Sequence, residues 1–221
     1  MTSQQRILLG VAAASAAAAL LVALYVISLM QSPPAVAGSM SRSGDSVNLT
    51  LQTVGALGPD YKHPSWVSYL VRNSEGRWVH STQLTLPANT LVQVTIYQYD
   101  SATGLRNPFF ARPQGTLGGV MQVDGETVDI IDPGLTSHTF AIPQLGIFIP
   151  LPGVADNAKN QCDAAPCTLA EAHRTITFSF RTGEPGRYRW QCFVPCAAGF
   201  VTGFGGPMQT FGYMDGYVDV V

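Results

Sequence analysis

Short segments in which apolar and polar residues alternate dominate the chain after its first 46 residues. An alternation with a period of two is typical of β-strands that bury one face. The segments are SVNLTLQT, WVSYLVR, RWVHS, LVQVTIYQY, RTITFSFRT, RYRWQC and GYVDVV. About eight short strands separated by turns rich in glycine and proline predict an all-β sandwich or barrel. A capping box at Thr168–Glu171 predicts a helix of about two turns.

The first 32 residues follow a different pattern. Ile7–Met30 is a run of 24 residues without a charge. As a helix it would be about 36 Å long, enough to cross a hydrocarbon core of about 30 Å. Arg6 precedes this run and no Lys or Arg follows until Arg42. The positive-inside rule therefore predicts a cytoplasmic N-terminus and an extracytoplasmic remainder.

A cleaved signal peptide is the alternative to a membrane anchor, because Ala35–Ala37 is a passable cleavage site. The apolar run is longer than the roughly 7–15 residues of such a signal, which favours an uncleaved, single-pass anchor in the cell membrane. The predicted organisation is an anchor over residues 1–32, a linker over 33–46 and an extracytoplasmic domain over 47–221.

Charge is sparse along the whole chain. The net charge is −2, which argues against a general affinity for nucleic acid. Only 12% of the residues are charged, about half of the roughly 25% of an ordinary soluble domain. So low a fraction of charged residues is expected if part of the surface faces protein or lipid. A large core with glycine-rich loops explains the low fraction equally well.

The segment LGIFIPLPGV, Leu145 to Val154, is almost wholly apolar and rich in proline. Proline is poorly suited to a central strand, so this segment is a candidate contact surface for another protein. The predicted interface residues are Phe148, Ile149 and Leu151. The alternative is that the segment plugs one end of the sandwich and belongs to the core.

The four cysteines form two close pairs. An even number in an exported domain usually indicates disulfides. Cys162 and Cys167 have no histidine at metal-binding spacing, and a loop-closing disulfide is predicted between them. Cys192 ends the segment RYRWQC and Cys196 lies four residues later, and this pair could hold copper or close a second disulfide.

Three segments, SHTFAIPQLGI, PGRYRWQCFVPC and GYVDVV, occur in an order that resembles the copper-bearing domain of cytochrome c oxidase subunit II. The resemblance covers about Leu84 to Val221 and implies a cupredoxin-like Greek-key sandwich. In that family the pattern H-S/T-F-x-x-P-x-L-G-I precedes C-x3-C-x3-H-x2-M, and these residues hold a dinuclear copper centre. The resemblance assigns His138, Cys192 and Cys196 to copper ligands.

The remaining ligand positions depart from the family. Phe200 stands at the second histidine and Gly203 at the methionine, while Met208 lies five residues later. With one imidazole lost, two copper ions would be under-ligated. The favoured interpretation is a Cys192–Cys196 disulfide and no cofactor. A copper site that uses His138, both cysteines and Met208 is an alternative, as are reduced thiols without metal.

The favoured function is therefore a membrane-anchored accessory subunit, similar in fold to oxidase subunit II and associated with integral membrane subunits of a redox complex. The alternative is a copper-binding electron carrier or copper-delivery protein of a terminal oxidase or a copper membrane monooxygenase. A stand-alone enzyme is not expected, because the sequence has no nucleophile elbow, H-E-x-x-H motif or phosphate-binding loop.

Overall fold

The computed structural model describes residues 2–30, 35–37, 39–40, 45–56, 66–196 and 206–221. The chain divides into two units, Met1–Ser32 and Pro33–Val221. The first unit contains helix α1 (Ser3–Met30). Its segment Ser3–Ile27 is long and apolar enough to cross a membrane. This helix is a candidate membrane anchor or signal sequence.

The second unit is built from short strands. Within the described residues they are β1 (Ala35–Ala37), β2 (Ser39–Met40), β3 (Ser46–Val54), β4 (Ser68–Arg72), β5 (Trp78–Val79), β6 (Gln83–Leu86), β7 (Leu91–Gln98), β8 (Met121–Val123), β9 (Glu126–Val128), β10 (Thr136–Ile142), β11 (Ile147–Pro152), β12 (Arg174–Arg181), β13 (Gly186–Gln191) and β14 (Asp215–Val220). Each alternating segment predicted as a strand overlaps one of these strands.

The strands form two sheets. The first has the order β1-β6-β14-β13-β10-β11, and the second has the order β5-β4-β3-β7-β12-β8-β9, with β2 paired to β3. The pairs β1–β6, β6–β14 and β3–β7 are parallel. The chain passes from one sheet to the other between β5 and β6 and again between β6 and β7. The predicted all-β sandwich with an N-terminal helix is confirmed.

Aromatic side chains fill the space between the sheets. Phe140 on β10 contacts Phe178 on β12 of the opposite sheet, with ring centroids 5.6 Å apart. Trp190 on β13 lies 5.1 Å from Phe140 and 4.8 Å from Tyr69 on β4. Burying one such side chain contributes about 1.5–3 kcal/mol or more. These contacts hold β10 and β13, which carry the candidate site, against the second sheet.

The segment predicted as a linker contributes strands to both sheets. β1 pairs with β6 through Ala35–Gln83, Val36–Leu84 and Ala37–Thr85, and β2 pairs with β3. Val36 is buried in the main core. The described part of residues 33–46 therefore belongs to the second unit, and the remainder of that segment lies outside the described residues.

The proline-rich segment is the edge strand β11, and the predicted interface there is wrong. Phe148, Ile149 and Leu151 are 4%, 0% and 0% exposed. β11 pairs with β10 on one side, and an edge position tolerates prolines because a missing N–H costs no ladder bond there. The alternative, in which this segment belongs to the core, is correct.

The long excursion between β7 and β10 explains why β11 is covered. Gln114 donates its backbone N–H to Phe148 O at 2.7 Å and accepts from Phe148 N at 3.1 Å. Phe109 and Phe110 pack on the Phe148 ring with centroids 4.3 and 5.9 Å away. The docking of this excursion on β11 depends on contacts between residues that are far apart in the sequence.

The Cys162–Cys167 disulfide is confirmed, with the two Cα atoms 5.8 Å apart. Gln52 on β3 holds the loop, since its Oε1 accepts from Cys167 N at 2.7 Å and its Nε2 donates to Cys167 O at 3.4 Å. The helix predicted from Thr168 is not formed. The capping bond from Thr168 N to Glu171 Oε2 is present at 2.5 Å. However, β12 begins at Arg174 and leaves no room for a second turn.

Replacing Phe148 and Ile149 together by serine should lower the free energy of unfolding by more than about 4 kcal/mol, because both side chains leave cavities in the core. Urea unfolding of the full-length protein, followed by tryptophan fluorescence, measures this. Leu169→Ser is the matched control at a position that is 61% exposed, and a change within about 0.5 kcal/mol is expected there. An unchanged unfolding midpoint in the double variant would contradict the assignment to the core.

His80 makes the stability of the folded domain depend on pH. Its ring packs edge-on against Tyr213 at 4.6 Å. Burial lowers its pKa to about 4, despite a hydrogen bond to the backbone of Gly212. In the unfolded chain the His80 imidazole is protonated below about pH 6.5, whereas in the folded chain it is protonated only near pH 4. The contribution of His80 to the free energy of unfolding is therefore fully present above about pH 6.5, and it is lost as the pH falls toward about 4.

In His80→Gln, the loss of stability between pH 6.5 and 4 should be smaller than in the wild type by up to about 3 kcal/mol. Urea unfolding at several pH values measures the difference. An identical loss in both proteins would show that His80 is not the group responsible.

Candidate metal centre

His138 lies on β10, where the pairing with β11 contains an irregularity. The register shifts between Thr136 and His138, so the strand bulges at Ser137. His138 is buried at 3% exposure. Tyr69 of the second sheet donates its hydroxyl to the backbone oxygen of Thr139 at 2.8 Å. This bond fixes the strand beside the histidine.

Cys192 and Cys196 lie in the loop that follows β13. Cys192 donates its backbone N–H to Met214 O at 2.9 Å, and Cys196 donates to Val194 O at 2.7 Å. The Cys192 sulfur accepts the backbone N–H of Thr139 at 3.3 Å. The loop therefore presents both sulfur atoms to the strand that carries the histidine.

The three predicted ligands form one buried cluster. His138 Nδ1 lies 2.8 Å from Cys196 Sγ and 3.9 Å from Cys192 Sγ, and the two sulfurs are 3.2 Å apart. All three donor atoms lie within 4.8 Å of one another. Strands β10 and β13 bring together residues that are more than 50 positions apart in the chain.

Asp100 orients the imidazole, and the sequence analysis missed it. Its Oδ2 lies 2.9 Å from His138 Nε2, while Oδ1 accepts the backbone N–H of Ser101 at 2.8 Å. A carboxylate on one ring nitrogen fixes the tautomer and directs the other nitrogen toward a metal. A Cβ atom on Gly55 would lie 3.0 Å from this carboxylate, so glycine leaves room for it. The signal in the sequence that could have indicated this role was an acidic residue directly after the alternating segment LVQVTIYQY.

Charge is distributed unequally within the cluster. Burial alone would lower the pKa of His138, but hydrogen bonds to Asp100 and Cys192 raise it to about 9. Burial alone would raise the pKa of Cys192, yet hydrogen bonds from Cys196 and His138 hold it well below its ordinary value. Burial and the neighbouring Cys192 raise the pKa of Cys196. These opposite shifts favour a thiolate on Cys192 beside a protonated His138, with Cys196 kept as a thiol.

The predicted Cys192–Cys196 disulfide is contradicted by the structure, in which both cysteines are free. Their separation of 3.2 Å is well above the roughly 2.05 Å of an S–S bond. The close contact between Cys196 and the His138 ring explains the difference, because it directs that sulfur toward the imidazole.

The described histidines other than His138 pack against aromatic rings and are not part of the cluster. Met208 lies on a short 3-10 turn, Pro207–Gln209, and packs partly buried against the main core. Its role as a ligand stays a prediction. His80 packs against Tyr213, and His173 packs against Tyr97 and Tyr99. Phe200, Gly203 and His63 lie outside the described residues.

The donor set fits a soft metal ion. Thiolates select Cu(I) and zinc, and imidazole suits both. The cluster offers two sulfurs and one nitrogen, with the nitrogen already oriented by Asp100. The Asp100 carboxylate is hydrogen-bonded to His138, so carboxylate and thiolate charge would balance a bound cation. The residues present therefore fit a single copper or zinc ion.

Comparison with known proteins gave only distant structural likenesses. No protein-family model and no curated protein matches the chain. The metal-binding domain of the Cu(I)-exporting P-type ATPase CopA of Streptococcus pneumoniae is 10% identical, with 86% of this chain and 99% of that chain covered and a TM-score of 0.37. The copper protein rusticyanin is 16% identical, with 90% and 94% covered and a TM-score of 0.34. A structure of rusticyanin from Thiobacillus ferrooxidans is 18% identical, with 83% and 86% covered and a TM-score of 0.31.

Similarity at this level does not assign the chain to a family or to an activity. The fold class rests on the molecule itself. Two packed sheets, with a histidine on β10 facing a cysteine loop that follows β13, make the domain a cupredoxin-like β-sandwich.

Asp100→Asn should weaken Cu(I) binding about 10- to 100-fold, because the carboxylate no longer fixes the imidazole. Competition with a chromophoric Cu(I) chelator measures the affinity of the reduced full-length protein. Asp129→Asn is the control, since Asp129 is exposed and pairs with Arg112. Equal affinities in wild type and Asp100→Asn would contradict the orienting role.

Proposed function

We propose that this protein binds one copper ion as Cu(I) and delivers it to a redox complex of the membrane. The observation that carries the proposal is the convergence of His138 Nδ1 and the free sulfurs of Cys192 and Cys196 in one buried cluster. His138, Cys192 and Cys196 would hold the ion, and Met208 is the candidate for a further weak ligand. The expectation of a site without cofactor is replaced by copper binding in this proposal.

Delivery is favoured over electron transfer by the composition of the ligand set. Two soft sulfur donors and one imidazole stabilise Cu(I) relative to Cu(II). A centre that cycles between the two states needs ligands that suit both, which is why blue copper sites combine two imidazoles with one thiolate. Here the second imidazole of the family pattern is replaced by Phe200.

The location in the cell is part of the proposal. The resemblance to oxidase subunit II, together with the apolar N-terminal helix, supports a single-pass anchor with a cytoplasmic N-terminus and an extracytoplasmic domain. The low content of charged residues supports association with integral membrane subunits. A terminal oxidase or a copper-dependent membrane monooxygenase would be the acceptor of the copper.

The reduced full-length protein should bind one equivalent of Cu(I), measured as metal per chain after dialysis under anaerobic conditions. The variant Cys192→Ser with Cys196→Ser should lose this copper, because the imidazole alone cannot hold the ion. His173→Ala is the control and should retain one equivalent, since His173 packs against Tyr97 and Tyr99 away from the thiols. Copper retained by the double serine variant would refute the proposed site.

A further inference from the structure

A cavity of about 270 Å³ opens beside the cysteine cluster. Two of the proposed copper ligands, His138 and Cys196, form part of its wall. The remainder of the wall is Gly55, Val67, Asp100, Ser101, Ala102, Thr103, Ser137, Val194 and Pro195. The cavity is smaller than the roughly 300–1,000 Å³ of a site for a drug-sized ligand. It is large enough for one side chain or a small molecule.

Ser137 provides an independent sign that the cavity receives a ligand. Its side chain is 0% exposed, and its hydroxyl has no hydrogen-bond partner among the residues that the structure describes. The adjacent hydroxyl of Thr136 donates to Phe110 O at 2.9 Å, whereas Ser137, a residue of the cavity wall, has no such partner among the described residues. A buried polar group without a partner is costly and indicates a bound water or ligand.

The wall of the cavity restricts the charge of a ligand. Asp100 is the charged side chain in the described wall, and its carboxylate faces the cavity while it binds His138. An anion would be repelled by this carboxylate. A cation other than the metal itself would compete for the same carboxylate and displace the imidazole contact. The wall therefore suits a neutral nitrogen or sulfur donor.

We propose that this cavity admits a neutral donor from outside the chain to the metal held by His138, Cys192 and Cys196, with the Ser137 hydroxyl binding the entering group. This inference rests on the proposed function, and it identifies the route by which copper is exchanged with another protein. The natural donor is an imidazole or thioether side chain of the protein that supplies or receives copper. A small imidazole molecule reproduces the same chemistry and serves as the probe.

Cobalt(II) makes the test visible, because the absorption of a cobalt–thiolate site changes with its ligands. The reduced full-length protein is loaded anaerobically with Co(II), and imidazole is then titrated into it. A saturable spectral change is expected with imidazole, and no change is expected with azide at the same concentration. A response to azide equal to that with imidazole would overturn the claim of a neutral donor.

Two variants link the response to the cavity. Ala102→Leu narrows the cavity, since Ala102 is part of its wall, and should weaken imidazole binding at least tenfold while cobalt stoichiometry is unchanged. Ala155→Leu, at an exposed position outside the cavity, is the matched control and should behave as wild type. Ser137→Ala should weaken imidazole binding about 3- to 10-fold, as expected for one hydrogen bond, without lowering the urea midpoint.

The failure of this inference is distinguishable from failure of the proposed function. If one equivalent of cobalt binds and imidazole leaves the spectrum unchanged, the cavity does not admit a donor and the metal site stands. The same conclusion follows if imidazole binds equally to wild type and Ala102→Leu. If the wild-type protein binds neither cobalt nor Cu(I), the metal site and the cavity inference are both wrong.

Discussion

The hydrogen bond between Asp100 and His138 determines what the site can do. It joins the end of β7 in one sheet to β10 in the other and fixes the imidazole with Nε2 toward the carboxylate and Nδ1 toward the two sulfurs. Without it, a buried imidazole would have no partner on Nε2 and would be free to rotate away from the thiols. The charge distribution within the cluster also follows from this bond, because the carboxylate stabilises the protonated ring and the protonated ring stabilises the Cys192 thiolate.

Burial of the cluster depends on the sandwich around it. The pair of strands β10 and β13 is held by aromatic packing of Phe140 and Trp190, and the β11 edge is closed by the excursion that carries Gln114. A dry environment strengthens hydrogen bonds to the thiolate and excludes solvent oxidants from the sulfurs. The cavity lined by Ser137 is the described opening beside this otherwise closed cluster.

The fold could be predicted from local pattern, while much of the site could not. Period-two alternation located strands such as β7 and β12, because each buries one face. The candidate ligands His138, Cys192 and Cys196 could be proposed from the sequence because their spacing resembles a family pattern. The state of the cysteines, the role of Asp100 and the burial of Phe148 depend on contacts between residues far apart in sequence. Apolar composition alone does not distinguish an edge strand that is covered by its own chain from one covered by another protein.

X-ray absorption at the copper K-edge of the reduced, Cu(I)-loaded full-length protein tests the central claim most directly, because it reports the atoms bound to the metal. One copper environment with two sulfur neighbours and at least one imidazole nitrogen is expected. In His138→Ala the imidazole scattering should be lost while the sulfur neighbours remain. A copper shell of nitrogen and oxygen without sulfur, or an imidazole signal that persists in His138→Ala, would contradict it.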